Sequence, residues 1–491
     1  MAYTKINRVL SWLLLSASVV GLTACNGDDT TDTGAVTEDT SVETVFEGEK
    51  TDIPDDLMFE GSTVNILGME YLVEGSGVEE ADIVSRALFN RNLRVEERFG
   101  VELEFTNQDP YSEIQNIVRQ SVNAGSDDYD VVFTIAAQQV NLINEGLYAP
   151  ISELPYVNLE KPWWNKEYIE SVSLNSEAAY TLFGNLTYNQ VERTTCVFAN
   201  VSKLSDKKGI TADDLYDVVF DGQWTLDYFT ELVADSYEDV NGSTTKDAED
   251  FYGLICENNN YWAADYLAYG SGLEFTDRDD DGYPVLALNT ERASDLSGKL
   301  VKLLSNNSDV FFDNNEKHVK TFAEGRALFM VNRLFVAGWE DVRKMNDDFI
   351  LLPTPKYDET VDGYHAPVGT AVQWGAVTVT ADELDVISAV LEEMCYDGYN
   401  TVTPTYYETA LKLKYSRGDV DSQSRVLDMI VEGARTDFLY VNNPGGIGKI
   451  FVDLVKSGQN NFASKYASHE MLANTKIKNL VAAYEESVYN Q

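Results

Sequence analysis

The sequence predicts an α/β protein of two lobes, and three observations carry that prediction. Strand and helix signals alternate where the folded part begins. The strands there include one of the fully buried, parallel kind. Of the 491 residues, roughly 435 follow an N-terminal tether, and that is more than one hydrophobic core organises. Val64-Asn65-Ile66-Leu67 is a short strand ending at Gly68. From Ala81 to Phe99 the apolar residues Ile83, Val84, Ala87, Leu88, Val95 and Phe99 share one helical face, stopped by Gly100. Val101, Leu103 and Phe105 alternate as a half-buried strand, and a second helix runs from about Tyr111 to Asn123 with Gly125 behind it. Tyr129 to Ile135 then forms a largely apolar strand. This order is the grammar of an open α/β sheet, in which ligands collect at the carboxyl ends of the strands. It singles out Met69-Glu70-Tyr71 and Ala136-Ala137-Gln138-Gln139.

The middle of the chain is aromatic and less regular, with Trp163-Trp164, Trp224, Tyr261-Trp262, Trp339 and Trp374 spread across it. Thr225 reads as a helix N-cap. Thr380-Ala381-Asp382-Glu383 reads as a capping box that opens a helix through about Tyr396. Later helical segments are expected at about Ser422–Ala434, Lys449–Lys456 and Thr475–Tyr484.

The N-terminus bears on location. Lys5 and Arg8 precede an apolar run from Val9 to Val20, and Leu22-Thr23-Ala24-Cys25 closes it. A positive start, a short apolar core and small residues before the cut are the features of an export signal. The run is too short and too polar to span a membrane. Its end resembles a bacterial lipobox, so residues 1–25 are expected to be a lipoprotein signal peptide and Cys25 the lipidated residue. Residues 26–59 are rich in Thr, Asp, Glu and Gly, and such a segment is expected to be a disordered acidic tether.

Composition excludes several classes. The chain holds 36 basic and 82 acidic residues, net −46. That field repels nucleic acid and anionic lipid, and no Lys/Arg cluster offsets it. After Cys25 only Cys196, Cys256 and Cys395 remain, and His318, His365 and His469 are the only histidines. Neither set has the spacing of a metal site, and one bridge or three free thiols are both open. Asp277, Asp279 and Asp281 followed by Gly282 copy the first half of a calcium loop, but Leu288 stands where a bidentate Glu is needed. The same residues suit a hairpin turn between Leu273-Glu274-Phe275 and Val285–Leu288, and that reading is preferred because the calcium loop is incomplete. No nucleophile elbow, zinc-protease motif or phosphate loop is present, so no catalytic residue is assigned and no cofactor is expected.

Several segments in order resemble the lipid-anchored extracellular solute-binding proteins of bacterial ABC importers. They are Asp82 to Phe99, Tyr129-Asp130-Val131-Val132, Leu154-Pro155-Tyr156-Val157 with Pro162-Trp163-Trp164-Asn165, and Gly222 to Asp227. Phe322 to Phe329 with Leu351 to Glu359, and Pro404 to Lys412, complete the set. The resemblance implies a periplasmic-binding-protein-like fold, with two α/β lobes joined by a multi-strand hinge around a ligand cleft. It implies one lobe from residues 60–185 and 368–410, and another from 186–367 and 411–491. It also implies a monomer on the outer face of the cytoplasmic membrane that delivers a carbohydrate to ABC permease subunits. Ala366-Pro367-Val368-Gly369 departs from the family pattern in being apolar. A surface glycoside hydrolase and a scaffold lipoprotein without a small ligand are the alternatives.

Sugar rings stack on aromatic faces, and their hydroxyls need polar side chains to replace lost water. Position and chemistry together nominate Glu70, Tyr71, Gln138 and Gln139 from one lobe. Tyr261, Trp262 and Arg333 would face them from the other, with Gln373 and Trp374 near a crossing.

Overall fold

The structure, a computed structural model, describes residues 48–69, 73–78, 81–258, 261–314, 316–412 and 420–489. Cys25, the signal peptide and residues 26–47 lie outside these, so the expected anchor is not described.

Strand β1 (Thr63–Gly68) runs parallel to both β2 (Glu102–Asn107) and β3 (Val131–Ile135). Its Val64, Ile66 and Leu67 are buried, as the centre of a covered sheet requires. Between β1 and β2 lies helix α1 (Ile83–Phe99). The Asp82 carboxylate accepts from the Val84 and Ser85 amides at its start, and Gly100, at φ 66°, ends it. Helix α2 (Ile114–Asn123) links β2 to β3, and α3 (Ala136–Asn144) follows β3 with no intervening loop. Helix α4 (Lys166–Val172) leads toward the second sheet.

That sheet is built from β4 (Thr195–Asn200), β5 (Tyr252–Glu257), β8 (Val310–Asp313), β9 (Ala327–Arg333) and β10 (Phe349–Leu352). Helix α5 (Trp262–Tyr269) and a small antiparallel hairpin, β6 (Thr276–Arg278) and β7 (Pro284–Leu286), lie between β5 and β8. The chain then returns through β11 (Ala366–Pro367) to β12 (Gln373–Val377), which joins the first sheet antiparallel to β3. Strand orders are β12-β3-β1-β2 and β10-β4-β9-β5-β8. In each sheet the chain steps outward from a central strand and comes back on its other side: β1 to β2 to β3, and β5 to β8 to β9. The crevices beside β1/β3 and β5/β9 are therefore the topological switch points.

Several crossings join the sheets. Thr194 bridges Val368, and β11 pairs in parallel with β13 (Ala434–Arg435). Ala366, Pro367 and Val368 are buried there. The apolar run that departs from the family pattern is thus a hinge strand, and its lack of polar side chains follows from that burial. The β6–β7 hairpin supplies another tie. Arg278 Nη1 donates to the carbonyls of Ser173 and Leu174, each at 2.8 Å, and Nη2 to those of Glu170 and Ser171, at 2.6 and 3.2 Å. A cation thereby satisfies carbonyls left open at the end of α4.

Helix α6 (Leu384–Asn400) holds the first sheet's helices together through acidic residues. Glu392 accepts the indole N–H of Trp163 at 3.0 Å and of Trp164 at 2.7 Å, and the Asn158 amide at 3.2 Å. Burial pushes its carboxyl up to about 7, against those three hydrogen bonds. Asp397 takes both Nε and Nη2 of Arg94, and Glu393 pairs with Arg98. Arg91, fully buried, donates to the carbonyls of Leu186 and Val73 and to the Asn92 side chain.

Three expectations are corrected. Glu383 precedes α6 without a side-chain cap, so Thr380–Glu383 forms no capping box; the box that does form is Thr211 with Asp214. The C-terminal helix, α7 (Phe462–Tyr489), is much longer than its apolar pattern suggests. Asp277, Asp279 and Asp281 lie in the hairpin that the sequence favours, where Asp279 Oδ1 accepts the amides of Asp281 and Tyr283 and shapes the turn. The tether also ends earlier than residue 59. Ile53 is buried, Asp52 pairs with Lys161, and the Phe59 ring lies 6.0 Å from that of Phe99. Two apolar side chains suffice to dock a short stretch that composition marks as polar. The three cysteines are free and buried.

Deleting residues 48–59 should therefore lower the melting temperature relative to a chain beginning at Gly48. Losing Ile53 alone removes about 1.5–3 kcal/mol of burial. Equal melting curves for the two chains would show that this stretch contributes nothing.

Candidate functional site

The two switch points bring a small set of side chains together, beginning at the carboxyl end of β5. Tyr261 sits at φ 53°, a left-handed conformation rare for a non-glycine residue. Its ring stacks on Phe312 at 4.6 Å, and Lys456 Nζ lies 5.2 Å from it. That backbone turn delivers Trp262, half-buried, to the first position of α5. Arg333 closes β9 next door. Its Cζ lies 4.7 Å from the Trp262 ring centroid and 4.8 Å from that of Phe335, so the guanidinium is held between two rings. Arg193 approaches the Phe335 ring as well, at 4.6 Å.

A polar chain leads from there to the first sheet. Glu192, beside Arg193, accepts from Asn189 Nδ2 at 3.0 Å. Burial raises its carboxyl, opposed first by the Arg193 charge, then by the Asn189 bond and the Arg333 charge. Asn189 Oδ1 accepts the Gln373 amide at 2.8 Å. The Gln373 side chain donates to Met69 Sδ at 3.0 Å, so β12 and the residue after β1 meet at this place. Gln373 Oε1 is buried without a hydrogen-bond partner. Tyr266, on the next turn of α5 from Trp262, stands where a side chain at position 369 would meet its hydroxyl at 3.3 Å. The hinge thus passes close to α5 at Gly369.

Tyr261, Trp262 and Arg333 come together as a cluster, and Gln373 connects to them through Asn189 and Glu192. Other expected residues do not join it. Trp374 is only 1% exposed, its N–H donates to the Tyr168 hydroxyl at 3.3 Å, and its ring meets Tyr168 edge-on. Neighbours on a strand face opposite ways, so with Gln373 on the Met69 side the Trp374 ring is driven into the core and offers no stacking face. Gln139 is fully buried and binds the carbonyls of Val132 and Trp374 and the Tyr148 hydroxyl. Gln138 accepts from Thr134. Both lie in the first turn of α3, and Gln139 acts as a brace between β3 and β12. Glu70 and Tyr71 lie outside the described residues. Asn189, Arg193 and Phe335 belong to the cluster with no local motif to mark them. Among the described residues, no group of three or more His, Cys, Asp or Glu side chains could hold a metal ion.

Residues 94–385, more than half of the chain, match the family described as bacterial extracellular solute-binding protein. The chain belongs to that family. No curated protein matches this solute-binding protein. Solved structures do, at low identity, and the likeness is one of fold. The GacH receptor of Streptomyces glaucescens, solved unliganded and with acarbose, is 14% identical with a TM-score of 0.51, over 84% of this chain and 98% of that one. A cyclo/maltodextrin-binding protein complexed with maltotetraose is 12% identical with a TM-score of 0.52, over 87% and 97%. The maltose/maltodextrin-binding domain MalE from Bdellovibrio bacteriovorus bound to maltotriose is 15% identical with a TM-score of 0.47, over 86% and 100%. The fold is the two-lobed α/β fold of periplasmic binding proteins, and family and fold are those of substrate-binding proteins, not enzymes. The glycoside hydrolase alternative falls with that.

The two tryptophans should separate in a single experiment. Trp262→Ala should weaken ligand binding at least tenfold, about 1.4 kcal/mol, with the apo melting temperature nearly unchanged. Trp374→Ala should instead destabilise the fold by about 3–5 kcal/mol. Calorimetric titration and thermal melts of both variants read the difference, and a Trp262→Ala protein that binds normally would remove this ring from the site.

Proposed function

We propose that this solute-binding protein is a lipid-anchored receptor that captures a carbohydrate between its two sheets and hands it to an ABC permease. The observation that carries the proposal is the Trp262–Arg333–Phe335 stack at the β5/β9 switch point, joined through Glu192 and Asn189 to Gln373. Rings offer faces for sugar C–H groups, while a guanidinium and a carboxamide supply the fork-like hydrogen bonds that hydroxyls need. Acarbose and maltotetraose in the two related structures of similar fold support a saccharide. Support for the anchor comes from Leu22-Thr23-Ala24-Cys25.

Calorimetry across mono- and oligosaccharides should give saturable binding without turnover. Small-angle scattering should then show a smaller radius of gyration at saturation, since hinge closure brings the lobes together. Saturable binding of peptides or polyamines with none of any sugar would overturn the saccharide assignment. For the anchor, Cys25→Ser should move the protein from the detergent-extractable membrane fraction to the soluble one. Continued retention in the membrane would rule out lipidation at this residue.

A further inference from the structure

Arg333 is only 8% exposed, yet among the described residues its guanidinium contacts rings and no hydrogen-bond acceptor. Its Nε is buried without a hydrogen-bond partner. Among the described residues, no ion pair includes it, in contrast to Arg94, Arg98, Arg119, Arg292 and Arg326. Arginine carries five N–H donors in a planar fork and stays charged throughout the physiological range. A buried charge without a counterion is costly, and proteins pair such groups or give them hydrogen bonds. Glu192 feels the Arg333 charge, but the hydrogen bond its carboxylate accepts comes from Asn189 Nδ2. Packing against Trp262 and Phe335 fixes the guanidinium and covers it at two rings. What it lacks among the described residues is an acceptor for its N–H donors.

We propose that Arg333 receives a carboxylate of the ligand, so that the saccharide captured here is an acidic one: a uronic acid or an oligomer that contains one. This rests on the carbohydrate reading above and narrows it. A carboxylate matches the fork in two parallel hydrogen bonds and neutralises the buried charge, which a neutral diol does not. Gln373 Oε1, also buried and unpartnered, supplies an acceptor for a ligand hydroxyl. On a chain of net −46 the distant field opposes an anion. Capture of an acidic sugar therefore demands a cation at short range, and Arg333 stands ready for it.

Calorimetric titration of the wild-type protein with matched pairs tests this: glucuronate against glucose, galacturonate against galactose, and digalacturonate against its methyl ester. At least one acid should bind ten times or more tighter than its neutral partner, and Arg333→Gln should abolish that preference. Arg333→Lys, which keeps the charge and loses the fork, should restore part of it. Thermal melts establish that each variant folds, and the ester comparison needs no variant at all. If neutral sugars bind and every acid binds no tighter than its partner, the carboxylate proposal falls while the carbohydrate reading stands. An acid preference that survives Arg333→Gln in a folded protein overturns the assignment to Arg333. If no sugar of either kind binds, both readings fall.

Discussion

The arrangement depends first on one buried carboxylate. Glu392, on α6, takes the indole N–H groups of two consecutive tryptophans and a backbone amide. Each indole is buried, and an indole N–H without an acceptor would cost about 1–3 kcal/mol. A single side chain removes that cost for both and fixes the course of residues 158–164. The next residue, Glu393, and Asp397 a turn beyond it reach Arg98 and Arg94 of α1. In a chain with 82 acidic residues, most carboxylates face water. These three are used inward, where each is matched to specific donors. Replacing a matched partner would strand the other, so the set acts as one unit.

The consequence for the binding site is positional. Helix α6 follows directly from β12, the strand that carries Gln373. Because α6 is locked to α1 and to the Trp163–Trp164 segment, β12 is held against β3 in its register, with Gln373 opposite Ile135. The trajectory of Ala366 to Val372 then passes close to α5 at Gly369. A few polar contacts remote from the site thus set how near the two switch points approach.

Much of this order is legible in the sequence. Helix α1, strand β3 and the helix N-cap at Thr225 are visible because a period, a glycine or a short polar side chain marks each one. The Tyr261–Trp262 pair and Arg333 stand out as chemistry placed after strands. Trp374 does not disclose its burial, because alternation tells which neighbours face apart and not which face is covered. Gln139 misleads for a related reason. A polar residue after a strand suggests a loop, yet here the helix begins at once and the carboxamide donates to carbonyls of two paired strands. Asn189, Arg193 and Phe335 carry no periodic or motif signal, since their role comes only from strands brought together across long sequence separations.

Arg278 imposes a condition on how such a molecule changes shape. By strand order its hairpin belongs with the second sheet, but its guanidinium grips carbonyls at the end of α4, beside the first. Desolvation lowers its basicity, but the guanidinium keeps its charge. A rotation that preserves these bonds has its axis near the end of α4, and the two sheets then separate most on the side away from it. The gape would be that of a hinged jaw with a pinned corner, and a solute would leave by the unpinned side.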